Sequence, residues 1–174
     1  LFVDIDGTLT ETISGATFKK HPHDVKIIQG ADKALKHFAD NGAHCVGISN
    51  QAGIKSGYKT LASASQEMLY TLSLFPELQE IYFCPDFAGE ECWHVTRSEF
   101  HEIGTREPQL IGLYRKPHSG MLELAKLFIE DGEREVTGRL MVGDRPEDKD
   151  CANEIGIDFL WAEEWRRKYG LEID

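Results

Sequence analysis

Basic side chains, cysteines and long apolar runs are all scarce in this sequence. Of its 174 residues, 19 are lysine or arginine against 30 aspartates and glutamates, a formal net charge of −11. That balance weighs against a broad nucleic-acid surface, which needs many cations to displace the condensed counterions. No uninterrupted apolar stretch approaches the roughly 18–20 residues that span a bilayer, and the opening Leu1-Phe2-Val3-Asp4 lacks the basic start of a signal peptide. No membrane partner is expected, and the expected location is cytoplasmic. The chain opens inside an apolar run without methionine, so a few leading residues are expected to precede Leu1. Four cysteines (Cys45, Cys84, Cys92, Cys151) make a poor disulfide framework in such a chain; buried thiols or metal ligands fit better. A Gly-x-x-x-x-Gly-Lys-Ser/Thr loop is missing too, so these residues hold no kinase module of that type.

The length and a hydrophobic share of 41% suit one domain over residues 1–174. Phe2 to Asp6 reads as a strand ended by Gly7-Thr8. His44 to Asn50, Ile81 to Cys84, Arg139 to Asp144 and Asp158 to Trp161 read as further strands. Helical spacing of apolar residues runs through Gly30–Asp40 and Ser119–Asp131, Leu61–Leu74 and Asp148–Ile155 also read as helices, and Trp161, Trp165 and the basic run Arg166-Arg167-Lys168 suggest a terminal helix with a solvated face. Strands alternating with helices predict an α/β fold, a mostly parallel central sheet with helices on both faces. Residues 85–108 look like an irregular acidic insert.

In such sheets ligands bind outside the carboxyl ends of the strands. Asp4, Asp6, Ser49 and Asp144 all fall at predicted strand ends. Two carboxylates two residues apart repel unless a cation or a shared proton compensates them, and a third acid, Asp144, makes a divalent cation the economical answer. Magnesium suits oxygen ligands and completes its shell with substrate phosphate. One carboxylate can attack phosphorus while its neighbour handles protons. Ser49 and Asn50 offer a hydroxyl and an amide for phosphate oxygens, and Lys116 offers a point charge. Ile111 to Phe128, which contains Lys116, is the one segment with a basic balance.

Asp4-x-Asp6-Gly-Thr, Ser49-Asn50, Lys116-Pro117 and Gly143-Asp144-x-x-x-Asp148 occur in the order that marks the haloacid dehalogenase (HAD) superfamily of phosphohydrolases, and the resemblance covers nearly the whole chain. It implies a Rossmann-like three-layer fold with little or no cap domain. It also implies that Asp4 is phosphorylated, that Asp6 is general acid/base and gives its backbone carbonyl to magnesium, and that Asp144 binds the metal. Ser49 and Lys116 would bind the phosphoryl group, and Asp148 would support the metal site or Lys116. Asn50-Gln51-x-Gly53-Ile54 and Arg115-Lys116-Pro117-x-x-Gly120-Met121 resemble the histidinol-phosphate phosphatase branch. Ser14-Gly15-Ala16-Thr17-Phe18 and Gly112-Leu113-Tyr114-Arg115-Lys116-Pro117 are similar to the polynucleotide 3′-phosphatase members of that branch. The expected substrate is therefore a 3′-phosphate on a DNA or RNA end, with a small metabolite such as histidinol phosphate or a sugar phosphate as the alternative. A catalytically idle binding module on the same fold is the reading from another class.

The zinc pattern of the branch's metabolite phosphatases, Cys-x-His followed by Cys-x-Cys, is absent. A different set, Cys84, Cys92, His94 and His101, has ligand types suited to a structural zinc. Arg115 is a candidate substrate contact or a surface ion pair. Phe18 and Tyr114 are candidates to stack on a base or to pack in the core. Cys45 and Cys151 read as small buried hydrophobes, and His21, His23 and His118 as loop residues. The protein is expected to be a monomer or small oligomer.

Overall fold

The computed structural model describes residues 1–132 and 135–171, so positions 133–134 and 172–174 of the domain expected over 1–174 lie outside the described residues. The apolar opening forms strand β1 (Phe2–Asp4), which lies inside a seven-stranded sheet. Thr10–Glu11 and Lys26–Ile27 form β2 and β3, a separate antiparallel pair that closes the segment following the first acids. In spatial order the large sheet runs β7 (Phe100–Glu102), β6 (Trp93–Val95), β5 (Leu78–Cys84), β4 (Cys45–Asn50), β1, β8 (Leu140–Gly143), β9 (Asp158–Trp161). The last five in that order are parallel; β6 and β7 add on antiparallel at one edge.

Parallel neighbours need long crossovers. Helices α1 (Ala31–Asp40), α2 (Leu61–Leu74), α3 (Gly120–Asp131), α4 (Pro146–Glu154) and α5 (Ala162–Tyr169) lie along the chain between and after the strands. Side-chain alternation along β1 sorts them into two layers. Val3 joins a core with Ala34 and Leu35 of α1, Met68 and Leu72 of α2 and Trp165 of α5. Phe2 joins the opposite core with Leu122 and Leu124 of α3 and Cys151 and Ala152 of α4. Each large apolar side chain so buried contributes roughly 1.5–3 kcal/mol. Two of the helix starts are capped locally. Thr60 Oγ1 accepts from Ser63 N at 3.0 Å ahead of α2, and Asp148 Oδ2 accepts from Arg145 N at 3.1 Å in the first turn of α4.

Residues 85–108 are not irregular throughout. Trp93–Val95 and Phe100–Glu102 form a hairpin that extends the sheet from β5, with the Trp93 and Phe100 rings stacked at 4.8 Å. Three-residue strands among charged neighbours carry little periodicity of their own; the apolar surface that orders them belongs to β5. Short 3₁₀ turns at Gly104–Arg106 and Pro108–Leu110 follow. Among the described residues no helix is long and apolar enough to cross a membrane.

The order of β4, β1 and β8 brings three strand ends side by side. Asp4 is in register with Ile48, so Ser49 and Asn50 come just beyond it on one side, and Gly143-Asp144 end the strand on the other.

Candidate active site

The chain turns sharply after Asp4. Gly7 N donates to Thr10 O at 2.8 Å and Leu9 N to Ile5 O at 3.0 Å. The turn requires a glycine: φ at Gly7 is +91°, and a Cβ there would stand 2.2 Å from Asp144 Oδ2. Arg166 of α5 holds the turn from outside, donating to the carbonyls of Gly7 and Thr8 at 3.3 and 2.8 Å. Because β1 stops between them, Asp4 and Asp6 part, and each finds its own partners.

Asp4 is buried. Lys116 Nζ donates to Asp4 Oδ1 at 2.7 Å, to Asp148 Oδ1 at 2.6 Å and to the Ile48 carbonyl at 3.2 Å, while Thr8 Oγ1 donates to Asp4 Oδ2 at 3.0 Å. Burial works to lower the pKa of Lys116, but its two carboxylate partners outweigh burial and raise it, so the ammonium stays charged. Asn50 fixes this lysine by its backbone. Its Oδ1 accepts from Lys116 N and its Nδ2 donates to Lys116 O, both at 3.0 Å. Gly143 admits Asp148 closely, since a Cβ there would lie 2.3 Å from the Asp148 carboxyl carbon.

One ammonium does not balance these acids. One oxygen each from Asp4, Asp144 and Asp148 lie within 4.8 Å of one another. Burial pushes Asp4 up to about 7 in spite of Lys116, with Asp148 adding repulsion, and burial followed by Asp148 raises Asp144 as well. Three hard oxygen donors with surplus negative charge fit a small, hard divalent cation.

Asp6, its side chain 43% exposed, has different company. Lys19 Nζ donates to Asp6 Oδ1, and Gln51 Nε2 donates to Asp6 Oδ2 at 3.0 Å and to Ser49 Oγ at 2.8 Å. Burial tends to raise Asp6, but Lys19, then Lys59 and Gln51, hold it below the usual carboxylate range. A buried carboxylate and a separately held, half-exposed one thus lie two residues apart, beside a hydroxyl and a buried cation. Residues 1–165 match a family model described as polynucleotide kinase 3 phosphatase. The chain belongs to that family.

It is accordingly a phosphatase of the HAD type. The D-glycero-D-manno-heptose-1,7-bisphosphate 7-phosphatase of Thermosynechococcus vestitus is 28% identical to it, over 90% of this chain and 74% of that protein. The D-glycero-beta-D-manno-heptose-1,7-bisphosphate 7-phosphatase of Haemophilus ducreyi is 30% identical, over 90% and 78%. A D,D-heptose 1,7-bisphosphate phosphatase from B. bronchiseptica, solved with magnesium and phosphate, shares the fold with a TM-score of 0.61 and 18% identity, over 99% of this chain and 87% of that one.

The remaining candidate residues lie mostly outside this site. Cys84, Cys92, His94 and His101 do not gather as a zinc site; among the described residues the metal-capable atoms that converge are those of Asp4, Asp144 and Asp148. His94 Nε2 lies 2.6 Å from Glu80 Oε2, and its ring stacks on Tyr82. Burial pushes the Cys84 thiol up to about 12 and that of Cys92 well above its ordinary value, whereas zinc takes thiolates. Asn50 reaches the site through Lys116, its carbonyl and amide both engaged on that backbone. Arg115 faces Phe87, 5.0 Å from the ring centroid, and Tyr114 is a core residue whose hydroxyl donates to Gly104 O at 2.7 Å. Phe18 is exposed, its ring nearly parallel to that of Tyr58 at 6.1 Å. His118 pairs with Glu154 at 3.2 Å. Sequence reasoning missed Lys19, Lys59, Glu67 and Arg166. Gln51 alone carried a signal, through its place beside Asn50.

Proposed function

We propose that this phosphatase hydrolyses the phosphomonoester of a small, sugar-like metabolite through an aspartyl-phosphate on Asp4. The observation that carries the substrate class is the similarity, over nine-tenths of the chain, to proteins named as heptose-bisphosphate 7-phosphatases. Asp4, Asp144 and the Asp6 main-chain carbonyl would hold magnesium, with Asp148 in support. When bound, that cation offsets the repulsion between an anionic nucleophile and a phosphate.

The chain's own residues do the rest. An oxygen of Asp4 attacks phosphorus. Each oxygen of a carboxylate has two lone pairs, so the contacts from Lys116 and Thr8 leave room for that bond. Lys116 and the Ser49 hydroxyl hold phosphoryl oxygens, over which the transferred charge is spread. Asp6 takes up a proton from solvent as the ester binds, gives it to the departing alkoxide and later regains one from the water that frees Asp4.

The second reading, a polynucleotide 3′ end, is favoured by the family description and by the exposed pair Phe18 and Tyr58, whose rings offer a stacking surface. Phosphate release from an aryl phosphate should need magnesium, stop with chelator, and fall about a thousandfold in Asp4→Asn. Equal rates for wild type and Asp4→Asn would refute the covalent route. A panel of kcat/KM values should then rank sugar phosphates, a heptose bisphosphate among them, above a 3′-phosphorylated oligonucleotide; the opposite ranking would hand the site to nucleic-acid ends.

A further inference from the structure

Glu67, in the middle of α2, is an acid 2% exposed that the chemistry above does not use. A buried carboxylate is costly unless it is paired. Glu67 has two cations, drawn from separate segments. Its Oε1 accepts from Lys19 Nζ at 2.7 Å and its Oε2 from Lys59 Nζ at 2.8 Å. Lys19 lies between β2 and β3, and its ammonium also donates to Asp6 Oδ1. Lys59 lies between β4 and α2, and its ammonium also donates to Gln51 Oε1 at 2.6 Å. Gln51 Nε2 closes the circuit on Asp6 Oδ2 at 3.0 Å. Asp6, Lys19, Glu67, Lys59 and Gln51 therefore form a closed ring in which two acids balance two lysines. A branch from Gln51 to Ser49 Oγ ties the ring to the phosphate pocket.

We infer that this ring is a positioning device for Asp6, with Glu67 as the residue that joins its two arms; the inference rests on the acid/base role proposed for Asp6. Asp6 stands past the end of β1, on a turn and half exposed, where a lone carboxylate rotates freely. A general acid must come within about 2.6–3.2 Å of the leaving oxygen, and a misplacement of about 1 Å costs about a hundredfold in rate. The ring grips both oxygens of Asp6 through donors from two different segments. Each oxygen keeps a second lone pair for the proton it must carry. Glu67 touches neither substrate nor reacting atoms; it acts through the two lysines.

The experiment compares two leaving groups. Transfer of phosphoryl to Asp4 from p-nitrophenyl phosphate expels a phenolate that departs without a proton. Transfer from glycerol phosphate expels an alkoxide that must receive one from Asp6, and kcat/KM reports this first transfer. Glu67→Gln and Lys59→Met open the ring without replacing Asp6 itself. Each should lower kcat/KM for glycerol phosphate by about 10–100-fold and for p-nitrophenyl phosphate by less than about threefold. Lys59→Arg, which keeps a cation able to span Gln51 and Glu67, should retain most of the glycerol phosphate activity. Equal losses on the two substrates would overturn the inference, since a ring that only supports the fold cannot sort substrates by leaving group. If a thermal melt finds Glu67→Gln unfolded, Lys59→Met decides alone, its side chain being 22% exposed. An Asp6→Asn variant as active as wild type on glycerol phosphate would instead overturn the acid/base reading beneath it.

Discussion

Replacing Lys116 by methionine removes the ammonium that bridges Asp4 and Asp148, all three side chains being buried. Breaking a buried pair from one side leaves an uncompensated charge and costs about 3–5 kcal/mol. For a chain of this length each kcal/mol moves the midpoint by about 2–4 °C, so Tm at pH 7 without divalent cations should fall by about 6–20 °C. The pH course carries a sign. The pKa of Lys116 in the fold lies above its ordinary 10.5, so its contribution is complete below that pH and is lost as pH rises through the folded value. The gap between wild type and Lys116→Met should thus persist from neutral to mildly alkaline pH and close above 10.5. It should also narrow in acid, where the orphaned carboxylates take up protons. Adding Asp148→Asn to the variant should recover part of the loss by removing one of those charges. Circular dichroism melts across pH measure all of this. A fall below about 2 °C at pH 7 would refute the reasoning, because it is the size expected of an exposed lysine.

Glu80 accepts from His44 and His94 at 2.8 and 2.6 Å, and although burial tends to raise it, the two imidazoles hold it at about 2, against an ordinary 4.5. Its contribution is therefore present above pH 4.5 and lost as pH falls towards 2. Glu80→Gln should cost about 3 kcal/mol at pH 5–6 and almost nothing near pH 2. Urea titrations read the difference, and a cost independent of pH would contradict the assignment. Gly7→Ala should lose about 1–3 kcal/mol from backbone strain and raise the magnesium concentration needed for half-maximal phosphatase activity, because its Cβ meets Asp144. An alanine variant with wild-type stability and magnesium response would show that the turn is free to relax.

Residues that act near their neighbours in sequence were readable in advance. Asp4 and Asp6 are two positions apart at a strand end, and the pattern around Asp144 and Asp148 spans a single strand-to-helix turn. Helix α2 spans Leu61–Leu74, the stretch that reads as helical in the sequence. What failed depends on distant partners. The hairpin at 93–102 needs the surface of β5. Lys19 and Glu67 meet across 48 positions through the order of the strands, and neither carries a local pattern. Arg166 read as part of a solvated basic face, yet it reaches back to the Gly7-Thr8 turn because α5 packs on the side of the sheet where that turn emerges. The zinc set had suitable ligand types, but the hairpin gave His94 to Glu80 and the thiols to the core.

The reciprocal bonds between Asn50 and the Lys116 backbone join two points 66 residues apart in the chain. A lysine side chain carries about 2 kcal/mol of rotamer entropy, and in most anion sites some of it is given up whenever a ligand arrives. Here the main chain on both sides of Lys116 is clamped and the ammonium is already seated between carboxylates, so that ordering is completed once, as the chain folds. A phosphoryl group entering the pocket meets a charge that is oriented before it arrives, and its binding free energy is not diminished by having to organise the lysine.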